Sequence, residues 1–264
     1  MNNRIQKSRL LLQNPYAYVA GDDGEYEAVF PPVISIQKAR GTEYPKAQYT
    51  QDEIEKIARN LQTEMWVNRE TIWGTKDVAP LAVTDCSTAF SAIGFDYESL
   101  SSLGSNATSD VAGYINADKK YAATAQHFPL TEQKFTAAHE LGHALLHQAN
   151  GMHRERPASS SHKVRRPRQE LEADRFASAF LMPRILLKRE FNHRFQTEKF
   201  IVIDENVIGL LGNNNRASLK TRRQLSLALA TADRFHTSKF LSLTELFGLS
   251  KTAVAIRLEQ VDIV

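Results

Sequence analysis

The chain has 264 residues, 42% of them hydrophobic and 24% charged, an ordinary globular composition that excludes wholesale disorder. Its 33 basic and 30 acidic residues leave a net charge of +3, too mild a surplus to mark a nucleic-acid binder. Cys86 is the only cysteine, which excludes an intramolecular disulfide and any multi-cysteine zinc finger, and a reduced, cytoplasmic setting is expected. No apolar run approaches the ~18–20 residues of a membrane span, so no transmembrane helix and no membrane partner are expected. The three-leucine run near the N-terminus is too short for a secretory signal.

Residues 1–49 are polar and carry turn signals at Asn14-Pro15, Gly21-Asp22-Asp23-Gly24 and Pro31-Pro32, and read as a partly irregular extension or a partner-contacting arm. Thr50 and Glu53 then have capping-box spacing ahead of an apolar stripe of Ile54, Ile57, Ala58, Leu61 and Met65, which predicts a helix. From Val78 to Ala125 short apolar runs (LAVTDCSTAF, SAIGFDY, VAGYINA) alternate with Gly, Ser, Asn and Asp, as in short strands or short helices mixed with strands. The next helix has Thr131 as its expected N-cap and Glu132 in its first turn. Phe135, Ala138, Gly142, Leu145 and Leu146 form its packing side, while His139, Glu140, His143 and His147 share an adjacent face.

Residues 148–168 are polar, with Arg154, Arg156, Lys163, Arg165, Arg166 and Arg168 against the single acid Glu155, and read as a solvated loop. A gate over a cleft, or a lure for an acidic substrate, is the alternative. A second helix is predicted from about Arg168 to Met182, limited by Pro183. The remainder reads as mainly helical after a strand at Phe200–Ile203 and a loop at Gly212–Arg216. This divides the chain into an extension at 1–49, a central domain at 50–195 and a mainly helical region at 196–264.

His139-Glu140-Leu141-Gly142-His143 is an HExxH motif. Residues four apart lie one helical turn along and about 40° around, so both imidazoles can reach one metal ion. Glu140, rotated away from them, can act as general base on a metal-bound water. Downstream, Glu170-Leu171-Glu172-Ala173-Asp174 offers a carboxylate ligand, with Glu170 the first choice and Glu172 the alternative. Asp174, four residues after Glu170, can accept a hydrogen bond from a ligand histidine and fix its tautomer. Two histidines, one carboxylate and an open position describe a catalytic zinc site with one Zn2+ per chain, while Mn2+ suits the same donor set. His147 lies a further turn along and reads as packing against, or bonding to, the loop that follows. Cys86 reads as a small core residue.

With these residues in view, GYINAD at 113–118, FTAAHELGHALLH at 135–147 and ELEADRFASAFLMP at 170–183 resemble the ImmA/IrrE family of zinc metallopeptidases. The resemblance covers roughly residues 50–264. It implies an α+β fold: a minimal thermolysin-like, gluzincin-type core with a small sheet and appended helices. It also implies His139, His143 and Glu170 as zinc ligands, Glu140 as the catalytic glutamate, and Tyr114, Ile115 and Asn116 as an edge strand that holds an extended substrate by strand addition. Family members cleave a helix-turn-helix repressor in stress or mobile-element responses, and others are toxin-like partners of such repressors. The extension at 1–49, the basic loop and the long connection at 184–240 depart from the shorter family pattern.

At the C-terminus, Ser242 and Glu245 form a second capping-box pattern, Gly248 ends a short helix, and Ser250 caps another. The pair resembles a helix-turn-helix, whose second helix enters the major groove. Only Lys251 and Arg257 are cationic there, with Glu259 opposing them, so direct DNA binding is the weaker reading. The expected function is a zinc-dependent endopeptidase. Its alternative is a regulatory module that grips a repressor or DNA with little or no proteolysis, and a third reading keeps the metal site but acts on a non-peptide bond.

Overall fold

The computed structural model describes residues 32–104, 110–147, 166–211 and 219–264, together with the backbone of strands at 18–20, 26–28 and 150–154. Strands β1 (Tyr18–Ala20) and β2 (Tyr26–Ala28) pair antiparallel. Within the described part of 32–49, one short helix stands among turns and irregular backbone. Helix α1 (Ile36–Arg40) is capped by Ser35, Ile34, Ala39 and Tyr49 are buried, and Arg40 Nε donates to the Leu145 carbonyl at 2.6 Å. A polar sequence with a few well-placed apolar residues can still dock when its arginine finds a buried acceptor.

Helix α2 (Gln51–Val67) forms as its sequence predicts. Glu53 N–H donates to Thr50 Oγ1 at 3.3 Å and Thr50 N–H to Glu53 Oε2 at 2.8 Å, which satisfies two otherwise orphaned donors and is worth about 1 kcal/mol. All five stripe residues are buried. Gln62 is buried beside them and donates to the Phe180 carbonyl at 2.8 Å, tying α2 to a later helix. After α3 (Arg69–Trp73), the run at 81–90 becomes a 3-10 turn and helix α4 (Cys86–Ala92), and Cys86 is buried as expected.

Strands β3 (Asp96–Leu100), β4 (Val111–Asn116) and β5 (Tyr121–Ala125) follow, and then helix α5 (Leu130–Leu146). The helix starts with Pro129 at the cap position, so Thr131 lies inside it instead of capping it. The Pro129 carbonyl accepts from both Glu132 and Gln133 N–H at 2.9 Å, a start that needs no side-chain cap. Strand β6 (Asn150–Arg154) leaves the end of α5, and the sheet order is β3-β5-β4-β6. β3 runs parallel to β5, while β4 is antiparallel to both β5 and β6.

This order corrects the expectation that Tyr114–Asn116 is an edge. Asn116 pairs with Tyr121 on one side and Asn150 on the other, so β4 is paired on both sides and the sheet's edges are β3 and β6. Apart from β6 and the last residues before α6, the basic loop lies outside the described residues.

Helices α6 (Arg168–Leu181), α7 (Arg184–Phe195), α8 (Asp204–Leu211) and α9 (Arg222–Thr231) come next. Phe200–Ile203 forms no strand; Phe200 N–H bonds the Ile263 carbonyl at 2.9 Å, an isolated contact and not a ladder. The loop expected at Gly212–Arg216 falls outside the described residues. A two-residue pairing of β7 (Arg234–Phe235) with β8 (Ser238–Lys239) precedes α10 (Leu243–Phe247) and α11 (Lys251–Gln260).

Both expected caps of the terminal pair form, at Ser242 and Ser250. Arg257, however, is buried: its guanidinium pairs with Glu55 of α2 and its Nε donates to the Met182 carbonyl at 3.1 Å. Val254, Ala255 and Leu258 are buried with it. One of the two cations that a recognition helix would offer to phosphate is therefore spent on internal packing. The fold is α+β, and among the described residues one continuous set of buried apolar side chains runs from Ile34 to Ile263.

Candidate metal centre

Helices α5 and α6 cross in close contact, and Gly142 is the reason they can. A β-carbon there would stand 3.2 Å from Ala173 Cα and from Phe176 Cβ, tighter than ordinary packing allows. The close approach brings the histidine face of α5 against the acidic first turns of α6. His139 Nε2 lies 3.4 Å from Glu170 Oε2, His143 Nε2 lies 3.3 Å from Glu170 Oε1, and the two Nε2 atoms are 3.1 Å apart. One ligand atom from each of the three residues lies within 4.8 Å of the others. Two imidazole nitrogens and one carboxylate oxygen are a donor set that a borderline divalent cation such as Zn2+ takes readily. The structure brings Glu170, and not its alternative Glu172, to the two histidines.

The outward nitrogens of both imidazoles are held as well. His139 Nδ1 lies 2.9 Å from Asp174 Oδ1, the arrangement expected for Asp174, and Asp174 in turn accepts from Arg166 Nη1. His143 Nδ1 lies 3.1 Å from His147 Nδ1, and His147 Nε2 lies 3.0 Å from Glu172 Oε2. His147 thus bonds back to α5 and across to α6, while the loop after it, to which the sequence reading tied it, lies largely outside the described residues.

The electrostatics favour a cation. Burial pulls the His139 imidazolium down, but hydrogen bonds to Asp174 and Glu170 and the charge of Glu140 outweigh it and raise its pKa to about 9. Asp174 is pushed up by burial and held low overall by His139 and Arg166. A proton retained at that height marks a place where the carboxylates demand positive charge.

Glu140 is fully buried under β4. A β-carbon at residue 113 would run into Glu140 Oε1 and Thr136 Cγ2, so a side chain there would push this carboxylate out of its place beneath the strand. The sequence offered a signal for that contact in the lone glycine inside the VAGYINA strand pattern. Of the expected substrate-contacting residues, Ile115 is buried in the core, and Asn116 Nδ2 donates to the Tyr114 hydroxyl at 3.2 Å. Two features were missed. Arg166 stands beside Asp174 at the end of the basic loop, and the His147–Glu172 link shows itself in sequence only as a third histidine at four-residue spacing.

Residues 108–204 match the model of the IrrE N-terminal-like domain of the Peptidase_M78 family. The matched segment is less than half of the chain. It contains β4, the HExxH helix, Glu170 and Asp174, so the match and the metal-type cluster fall on the same residues. The family is one of metallopeptidases, and its peptidase activity implies a protein substrate. No curated protein and no solved structure matches the chain. Among the described residues no helix is long and apolar enough to cross a membrane.

Proposed function

We propose that the protein is a cytoplasmic zinc-dependent endopeptidase whose substrate is a helix-turn-helix transcriptional repressor, cleaved in a stress or mobile-element response. The observation that carries the enzymatic part is the convergence of His139, His143 and Glu170 beside the buried Glu140. The repressor assignment rests on the resemblance of the three motif segments to the ImmA/IrrE family.

His139, His143 and Glu170 are the residues that would hold Zn2+, leaving a position open for reactants. A zinc ion there supplies Lewis-acid polarisation of the scissile carbonyl and a lowered pKa for water. Glu140 is the general base: its carboxylate takes the proton from the attacking water and delivers it to the leaving amine nitrogen. Its burial beneath Gly113 holds it in one place and keeps bulk water from competing for the proton. Asp174 and Arg166 orient His139 from outside.

The test is Glu140→Gln, which keeps the shape of the side chain and removes its basicity. Zinc-loaded wild type is expected to cut a purified helix-turn-helix repressor at a defined bond. The variant should keep its zinc and lose about 10²–10⁴-fold in rate, the usual contribution of general base catalysis. Undiminished cleavage by Glu140→Gln would refute the mechanism. Tight repressor binding by wild type without any cut would transfer the assignment to a regulatory module.

A further inference from the structure

His147 ends the histidine face of α5 with its side chain 2% exposed, against a Glu172 that is 1% exposed. A buried carboxylate is costly unless its oxygens are satisfied, and here they are. Glu172 Oε1 accepts from Arg168 Nε at 2.7 Å and from Tyr49 N–H at 3.1 Å, and Oε2 faces His147 Nε2 at 3.0 Å. Arg168 Nη2 also reaches the Tyr49 carbonyl at 3.4 Å, and the Tyr49 ring meets the His147 ring edge-on at 6.4 Å between centroids. Tyr49 ahead of α2, and Arg168 and Glu172 of α6, thus fix one imidazole that does not itself face the metal-type cluster.

The direction of every proton in this chain of contacts follows from its end. An ionised Glu172 only accepts, so His147 carries its proton on Nε2 and presents a lone pair at Nδ1. That lone pair lies 3.1 Å from His143 Nδ1, which therefore carries the proton on its own side. His143 is left with a bare lone pair at Nε2, the atom 3.3 Å from Glu170 and 3.1 Å from His139 Nε2. A neutral imidazole in water favours neither arrangement strongly, and only this one can bind a cation through Nε2.

We propose that His147 and Glu172 are positioning residues that lock His143 into its metal-binding tautomer and ring orientation. The inference rests on the metal-dependent reading of the site. It gives His143 a support of a different kind from the direct Asp174 contact that serves His139. It also explains why this protein buries a carboxylate and a third histidine behind the HExxH helix, where an apolar pair of the same volume would pack as well.

The experiment is competition of zinc-loaded protein against a chelator, on wild type, His147→Asn, His147→Phe and Glu172→Gln. Asn keeps an acceptor, Oδ1, close to the position of Nδ1, whereas Phe fills the space and offers none. His147→Phe is expected to bind zinc about 10–100-fold more weakly, the usual cost of removing such a support, with Glu172→Gln intermediate. His147→Asn should recover most of that loss. In proton–nitrogen correlation spectra of the zinc-loaded protein, a slowly exchanging His143 Nδ1–H should appear in wild type and His147→Asn and vanish in His147→Phe. A melting temperature for each variant separates folding from affinity.

Folded His147→Phe that holds zinc within about twofold of wild type would overturn the proposal. So would His147→Asn that behaves no better than His147→Phe. A wild-type chain that binds no zinc would instead refute the metal reading itself, and the lock with it.

Discussion

The two imidazoles of the HExxH motif are supported in opposite ways. His139 leans on Asp174, a half-buried carboxylate whose other oxygen is held by the exposed Arg166 at the end of the basic loop. His143 leans on His147, and through it on Glu172, three buried side chains that the Tyr49 backbone and the solvent-exposed Arg168 anchor from outside. One arm is short, charged and open to the loop; the other is longer and closed in the core. The same requirement, a proton held on Nδ1 so that Nε2 is the nitrogen turned to Glu170, is met once near solvent and once inside. A surface ion pair is worth about 0–1 kcal/mol, while breaking a buried one costs about 3–5 kcal/mol. The His143 arm is therefore the rigid part of the site and the His139 arm the adjustable one.

The bluntest way to break the comparison is to remove either imidazole. His139→Ala and His143→Ala should both lose the metal, read as a fall from about one zinc per chain to near none by elemental analysis, because neither arm can replace a ligand. Zinc retained at full occupancy in both would mean that these residues do not form the site.

Acidity sharpens the contrast. His139 has its pKa raised to about 9 in the metal-free protein, so below that pH a metal must displace its proton. Zinc affinity should weaken as pH falls, by up to about tenfold per pH unit below the His139 value for one displaced proton. The dependence belongs to the adjustable arm. Asp174→Asn withdraws one of the bonds that raise His139 and should shift the onset of this dependence to lower pH. Chelator competition across about pH 6.5 to 8.5 reads it, and a flat profile would contradict the assignment.

The smallest effects come from taking the open arm apart from outside. Asp174→Asn at neutral pH should cost about 10–100-fold in zinc affinity, as loss of a ligand's carboxylate partner does. Arg166→Ala should cost only a few-fold, since its ion pair is solvent-exposed and worth about 1 kcal/mol or less. A larger loss for Arg166→Ala than for Asp174→Asn would reverse the picture and make the basic loop part of the site's rigid frame.

The legible part of the molecule was the part written in local patterns. The Thr50–Glu53 box and its apolar stripe, the helix of HExxH, the helix that Pro183 limits, and the caps at Ser242 and Ser250 all depend on contacts within about four residues, which spacing alone encodes. The i, i+4 relation of Glu170 and Asp174 likewise placed both carboxylates on one face of one helix. The illegible part needed chain neighbours far apart in sequence. Phe200–Ile203 has the composition of a strand but, among the described residues, no partner strand to pair with. Residues 32–49 read as polar and irregular because their value lies in docking Arg40 on a carbonyl more than a hundred positions away.

The sequence by itself determined which residue types face one another along each helix: two imidazoles and a glutamate on α5, two carboxylates one turn apart on α6. Only the tertiary structure decided between Glu170 and Glu172, because the choice depends on how α6 is rotated against α5 at Gly142, where a single β-carbon would alter the fit. It also decided that β4 has strands on both sides, since pairing partners are set by where the chain returns and not by the strand's own alternation. The third histidine became a support for the second only when α6 carried Glu172 to meet it. Helical periodicity is a property of a few adjacent residues; a site assembled from two helices and a strand is a property of their packing.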